Sequence, residues 1–230
     1  MHDHDRPEPR ADSLDLNAIQ CDVKISRPFP GTEVETLVSD IPHGFVELEA
    51  TFTLEVVDFE EDTVEDQVIA SASAYAIRID VDWNRDRLYA RILDSLDSVG
   101  GEAFHIAEVV CGAGDILSDL DRPYDGGLEL TTQLVFVDDV FVEEPYRRQG
   151  LGSQLLGALI DAADGTGNQS LVMLRAWSTH WPDVSELDAR RLQKNLELPL
   201  ANIGFGHYME GVYWRHTALA LPSEIAPQRS

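Results

Sequence analysis

The amino-acid sequence predicts an α/β protein of the α+β kind, built on a mixed, mostly antiparallel sheet flanked by helices. Three observations carry that expectation. Residues 45–57 alternate: Val46, Leu48, Ala50, Phe52, Leu54 and Val56 point one way, and Glu47, Glu49, Thr51, Thr53 and Glu55 the other. That is a strand with one face on a core and one in water. Residues 128–142 form a long strand-like run, which passes through a turn into a periodic helix at 151–163 and then a second strand at 171–177. The helix between them makes those two strands parallel neighbours, while the paired strands ahead of them are antiparallel.

The elements follow in order. The strand at 45–57 runs into an acidic turn at 58–66, and residues 67–81 give the next strand, with Tyr75, Ile77, Ile79 and Val81 on one face. Asn84 is positioned to cap a helix. Leu88, Ile92, Leu96 and Val99 line one side of it, and Gly100 and Gly101 stop it. Residues 102–110 read as a short second helix, with Phe104, Ala107 and Val110 turned inward. Residues 112–127 carry glycines, Pro123 and aspartates and read as a loop. After the strand at 171–177, a helix starts at Ser185 and is stopped by Pro199. Residues 208–217 supply one or two last strands.

Prolines at positions 7, 9, 28 and 30 break the first stretch, so residues 1–44 are expected to be a partly disordered arm, 45–220 the folded domain and 221–230 a tail. His2 and His4 alternate with Asp3 and Asp5, but a polar tail is the simpler account than a metal site. Cys21 and Cys111 are too few for a disulfide framework or a metal motif. No apolar run is long enough to span a bilayer, and the polar N-terminus carries no signal segment, so a cytoplasmic protein is expected.

The charge balance is extreme. With 42 acidic residues against 17 Lys plus Arg, the formal net charge is −25. Such a field repels nucleic acid and anionic membranes and attracts cations. Against that background Arg147 and Arg148 stand out as a local basic pair able to hold an anion. They open the turn Arg147-Arg148-Gln149-Gly150-Leu151-Gly152, which precedes a helix carrying Leu151, Leu155, Leu156, Leu159 and Ile160. A helix start leaves backbone N–H groups unsatisfied and favours an anion there. Glycine at 150 and 152 removes side chains that would keep a phosphate away. The turn is therefore a candidate pyrophosphate cradle. It lacks the third glycine of the dinucleotide fingerprint and the Gly-Lys-Ser or Gly-Lys-Thr of a Walker loop.

The run VFVEEPYRRQGLGSQLLGALI resembles the acyl-coenzyme A (CoA) binding core of the GCN5-related N-acetyltransferase (GNAT) superfamily. The family signature is Gln or Arg, two residues, Gly, one residue, then Gly or Ala. Arg147, Gly150 and Gly152 match it, Pro145 and Tyr146 match the approach to it, and Gly204-Phe205 resembles a later Gly-Phe pair. The resemblance covers about residues 128–217. The helix pair at 84–110 would fit only an altered N-terminal topology, since it falls after two strands rather than one.

The resemblance implies a GNAT-like acyltransferase fold and acetyl-CoA as co-substrate. It places the pantetheine arm along Val140, Phe141 and Val142. The pyrophosphate would rest on the backbone from Arg147 and Arg148 through Gln149, Gly150, Leu151 and Gly152 to Ser153. It implies acetyl transfer to a primary amine of a small molecule or protein, which the acidic surplus suggests is cationic. Homodimers occur in the family. Where the family often has an acid tyrosine, this chain has Leu200; Tyr208 and Tyr213 lie beyond the Gly-Phe pair and are the alternatives, Tyr208 being the chosen candidate. Asp138 and Asp139 interrupt an apolar strand, where a buried charge is costly unless paired. They are the leading candidates for the base, or else structural carboxylates. Glu108, His105 and Glu47 are others. Since strand neighbours face opposite sides, one aspartate at most is expected in any cleft. A weak or inactive acyl-CoA sensor, and an interaction protein without ligand, are the other classes compatible with these residues.

Overall fold

A computed structural model describes residues 19–26, 45–58, 63–79, 85–112, 131–164, 169–176 and 185–218. The predicted class is the observed one: a seven-stranded sheet in the order β1-β2-β3-β4-β5-β7-β6, with helices on both faces. The strands are β1 (Ile19–Ser26), β2 (Phe45–Asp58), β3 (Thr63–Arg78), β4 (Gln133–Val142), β5 (Ser170–Arg175), β6 (Gly206–His207) and β7 (Val212–His216). The helices are α1 (Arg85–Asp97), α2 (Gly101–Gly112), α3 (Leu151–Asp164) and α4 (Glu186–Asn202). Among the described strands β4 and β5 are the one parallel pair; the other pairs are antiparallel.

Alternation along the strands divides the core in two. Leu48, Ala50 and Phe52 of β2, Ala70, Ala72, Ala74 and Ala76 of β3, and Val135 and Val137 of β4 face α3. The row of alanines lets α3 lie close to the sheet, with Leu151, Leu155, Leu156, Leu159 and Ile160 against it. On the other face Tyr75, Ile77, Leu134, Phe136, Leu171, Met173 and Trp214 meet Leu88, Ile92 and Leu96 of α1 and Ala103, Ile106, Ala107 and Val110 of α2.

Three expectations change. Residues 19–26, assigned to the arm, form the edge strand β1, so three strands precede the helix pair. Ile19, Cys21, Val23 and Ile25 alternate and pair with Leu54, Phe52, Ala50 and Leu48; the neighbouring prolines hid that period. The acidic turn is shorter than expected, because β2 and β3 pair as far as Asp58↔Thr63. Pro199 does not stop α4, which continues to Asn202. Proline removes one helical bond, but Leu200 is buried in the α3-side core and holds the last turn in place. Ser185 caps the same helix as expected, its side chain accepting from the Asp188 N–H. The proposed Asn84 cap and the histidines at 2 and 4 lie outside the described residues, as does the loop expected at 112–127 beyond Gly112, the last residue of α2.

One buried group links this fold to pH. His216 is almost fully buried on β7, and its Nδ1 accepts from the Ala218 N–H at 3.1 Å. Burial holds its imidazole below the ordinary value of 6.5, with Asp164 pulling the other way. The unfolded chain therefore takes up this proton at a higher pH than the folded one. The contribution is intact above about pH 6.5 and is lost as the pH falls through the lower folded value. His216→Asn can keep the Ala218 bond without the titration. Urea midpoints at pH 7.5 and 5.5 are expected to fall further for the wild type than for this variant.

Candidate functional site

The β4–β5 ladder is short. It joins Gln133–Phe136 to Ser170–Met173 and ends there, whereas β4 stays paired with β3 as far as Val142. The two parallel strands therefore part beyond Phe136, opening a wedge in the middle of the sheet. A bulge marks the point of parting. Ser73 pairs with Asp139 and Ala74 with Val137, so Asp138 is the extra residue on β4.

The turn after β4 closes the wedge at one end. Glu144–Tyr146 make a turn of 3₁₀ helix led by Pro145. Arg148 (φ 65°) and Gly150 (φ 81°) then adopt left-handed backbone on either side of Gln149. Such left-handed turns bring successive N–H groups toward a common point. The Ser153 and Gln154 N–H groups both return to the Gly150 carbonyl, at 3.1 Å each. The amides ahead of them are first-turn donors with no carbonyl to reach within the helix.

The two glycines stand in different surroundings. A Cβ on Gly150 would meet nothing within 4 Å, so this residue is required by its backbone angle and by an open approach. A Cβ on Gly152 would point back at Val140 and Val142, 3.7 Å from each, an ordinary packing distance. A side chain at 152 would therefore pack against β4 rather than enter the cradle, and neither space nor backbone angle requires glycine there. Arg147 folds back as well: its Nε donates to the Val142 carbonyl at 2.8 Å, and its guanidinium lies 5.9 Å from the centre of the Phe141 ring. It ties the turn to the end of β4. Arg148 is exposed.

The bulge overturns the expectation that Asp138 and Asp139 face opposite ways. Val137 and Val140 pair with Ala74 and Ala72 on the α3 side, which puts Asp139, opposite Ser73, on the α2 side. Asp138 reaches the same side, where its Oδ1 accepts from the Ala103 N–H of α2 at 3.0 Å. Two residues standing opposite one partner residue break the alternation. Burial raises the Asp138 carboxyl above its ordinary value; the Ala103 amide opposes this, Asp139 reinforces it and the Glu102 amide opposes it. Asp138 thus caps α2 from the bulge. Gly101 makes this possible, since a Cβ there would overlap the carboxylate. Next to it, Arg175 at the end of β5 pairs with the nearly buried Glu102 at 3.2 Å.

The other candidates are dispersed. Tyr208 packs on the core formed with α1 and α2, whereas Leu200 lies in the α3-side core with Tyr213. Tyr213, not Tyr208, shares the face of the position where the family often carries its acid. Burial, helped by the charge and hydrogen bond of Glu197, pushes the Tyr213 phenol up to about 12. Glu47 is on β2, separated from β4 by β3. His105 and Glu108 share a hydrogen bond at 3.3 Å on an exposed side of α2. Gly101, Glu102 and Arg175 were not singled out from sequence; the doubled glycine before α2 was the one visible sign, and it read only as a helix stop.

The profile of the acetyltransferase (GNAT) family matches residues 73–181. This span runs from Ser73 in β3 through α1, α2, β4 and α3 to just past β5, so it includes the helix pair that the motif resemblance left out. The chain carries a GNAT acetyltransferase domain over these residues. No curated protein and no solved structure matches the chain.

Proposed function

We propose, with that GNAT domain as the premise, that the protein transfers an acetyl group from acetyl-CoA to a primary amine of a cationic acceptor. The observation that carries this is the wedge between β4 and β5, opening at Phe136 and Met173 and ending at a left-handed turn on a helix start. The open approach to Gly150 suits a diphosphate held by the amides from Arg148 to Gly152; the Ser153 N–H, expected to join them, is already bonded to the Gly150 carbonyl. The β4 stretch that includes Val140, Phe141 and Val142, beyond the end of the β5 ladder, would run beside the pantetheine arm. A backbone N–H on that edge would polarise the thioester carbonyl.

In the transfer, the amine nitrogen bonds to the acetyl carbonyl carbon, the C–S bond breaks, and the sulfur leaves as thiolate. The proton lost by the amine passes to a base, and a proton returns to the sulfur. Asp139, on the α2 side of β4 just past the point where the strands part, is the base candidate we favour; Asp138, which caps α2, is the other. Tyr208 and Tyr213 are the phenols available as proton donors. The acidic surplus supports a cationic acceptor.

Titration calorimetry with acetyl-CoA, followed by thiol release over a panel of amines, tests the proposal. Saturable binding with amine-dependent thiol release is expected; no binding at millimolar ligand would remove it. Leu200, an aliphatic residue where the family often carries an acid, favours a second reading as an acyl-CoA sensor. That reading predicts binding without thiol release.

A further inference from the structure

On the α2 side of the wedge lies a cleft of about 570 Å³, lined by His105, Glu108, Val109, Gly112, Arg175, Met209 and Glu210. Its volume is in the range of small-molecule sites. A continuous set of contacts ties it to the wedge. Asp138 of the bulge holds the start of α2 at Ala103, the adjacent Glu102 holds Arg175, and Arg175 lines the cleft.

We infer that this cleft is the acceptor subsite and that it selects an amine carrying a second cationic group, held by Glu108 and Glu210. The inference rests on the acyltransferase proposal and deepens it. The lining decides the sign of the ligand. The Arg175 charge is matched by Glu102, so it is a poor anchor for an anion. Glu108, which shares a hydrogen bond with the neighbouring His105 at 3.3 Å, and Glu210 are the carboxylates of the lining, and two of them against the one Arg175 leave it acidic. Val109 and Met209 add apolar surface suited to a short methylene chain between two ammonium groups. An acceptor with a carboxylate beside its amine would meet like charge instead.

The test compares 1,4-diaminobutane with butylamine, using the full chain and acetyl-CoA. The diamine is expected to be used about tenfold better in kcat/KM. Glu108→Gln or Glu210→Gln is expected to cut that preference about twofold to fivefold each, through KM, as suits partly exposed charge pairs. Each variant's butylamine kinetics, read beside its diamine kinetics, give that preference. Glu65→Gln, on the β2–β3 hairpin away from the cleft, changes the net charge equally and is expected to change neither. Equal use of the two amines, or an unchanged preference in both cleft variants, overturns the subsite and leaves the acyltransferase proposal standing. If no amine releases thiol, that proposal fails, and calorimetry with 1,4-diaminobutane alone decides the subsite. Binding weakened by Glu108→Gln supports it; no binding overturns it.

Discussion

Gly150→Val is expected to weaken acetyl-CoA binding about tenfold or more, while Gly152→Ala keeps it within about threefold. The contrast comes from where each missing side chain would point. At 150 the backbone is left-handed, with φ 81°, and the approach is open. A β-branched residue is strained there by about 1–2 kcal/mol. The turn relieves that strain by rotating its amides away from their common point, and any side chain that stays projects into the open approach. At 152 a methyl group would rest 3.7 Å from Val140 and Val142, inside the protein rather than in the cradle. Calorimetry on both variants, with thermal unfolding to show that each is folded, reads the difference. Equal affinities for Gly150→Val and the wild type would remove the cradle from the proposed function.

Gly101→Ala is expected to destabilise the protein by about 2–4 kcal/mol in urea unfolding. Two costs combine. Gly101 has φ 75°, where an L-residue is strained. Its new Cβ would also overlap the Asp138 carboxylate and push it off the Ala103 amide, leaving a half-buried carboxylate without that bond. The pair is therefore coupled. In the double variant Gly101→Ala with Asp138→Ala, the overlap is gone and only the backbone strain and the lost cap remain. Its cost is expected to fall below the sum of the single costs. Strict additivity would mean that the bulge and the helix start are independent, against the geometry described.

Much of the site was legible because its chemistry is local. Arg147, Gly150 and Gly152 lie within six residues of one another, between an apolar strand and an apolar helix, and that spacing alone marks a turn with exposed amides. The α2 side was not legible. Asp138 and Ala103 are 35 positions apart, and Arg175 and Glu102 are 73 apart. No periodicity or motif connects them. The bulge was equally hidden, because it is defined by the register between β3 and β4 and not by either strand alone. Ignoring it led to the incorrect expectation that Asp138 and Asp139 point apart.

Alternating and helical periods on their own were enough for the mixed sheet, its central parallel pair and the glycine turn, because each depends on side-chain spacing along a few consecutive residues. The third strand ahead of the helix pair, the passage of α4 through Pro199, the different surroundings of Gly150 and Gly152, and the sharing of one face by two aspartates arose only when distant segments packed. Long-range pairing settles those features: a register shift turns a side chain to another face, and a buried anchor such as Leu200 can outweigh the local preference of a proline.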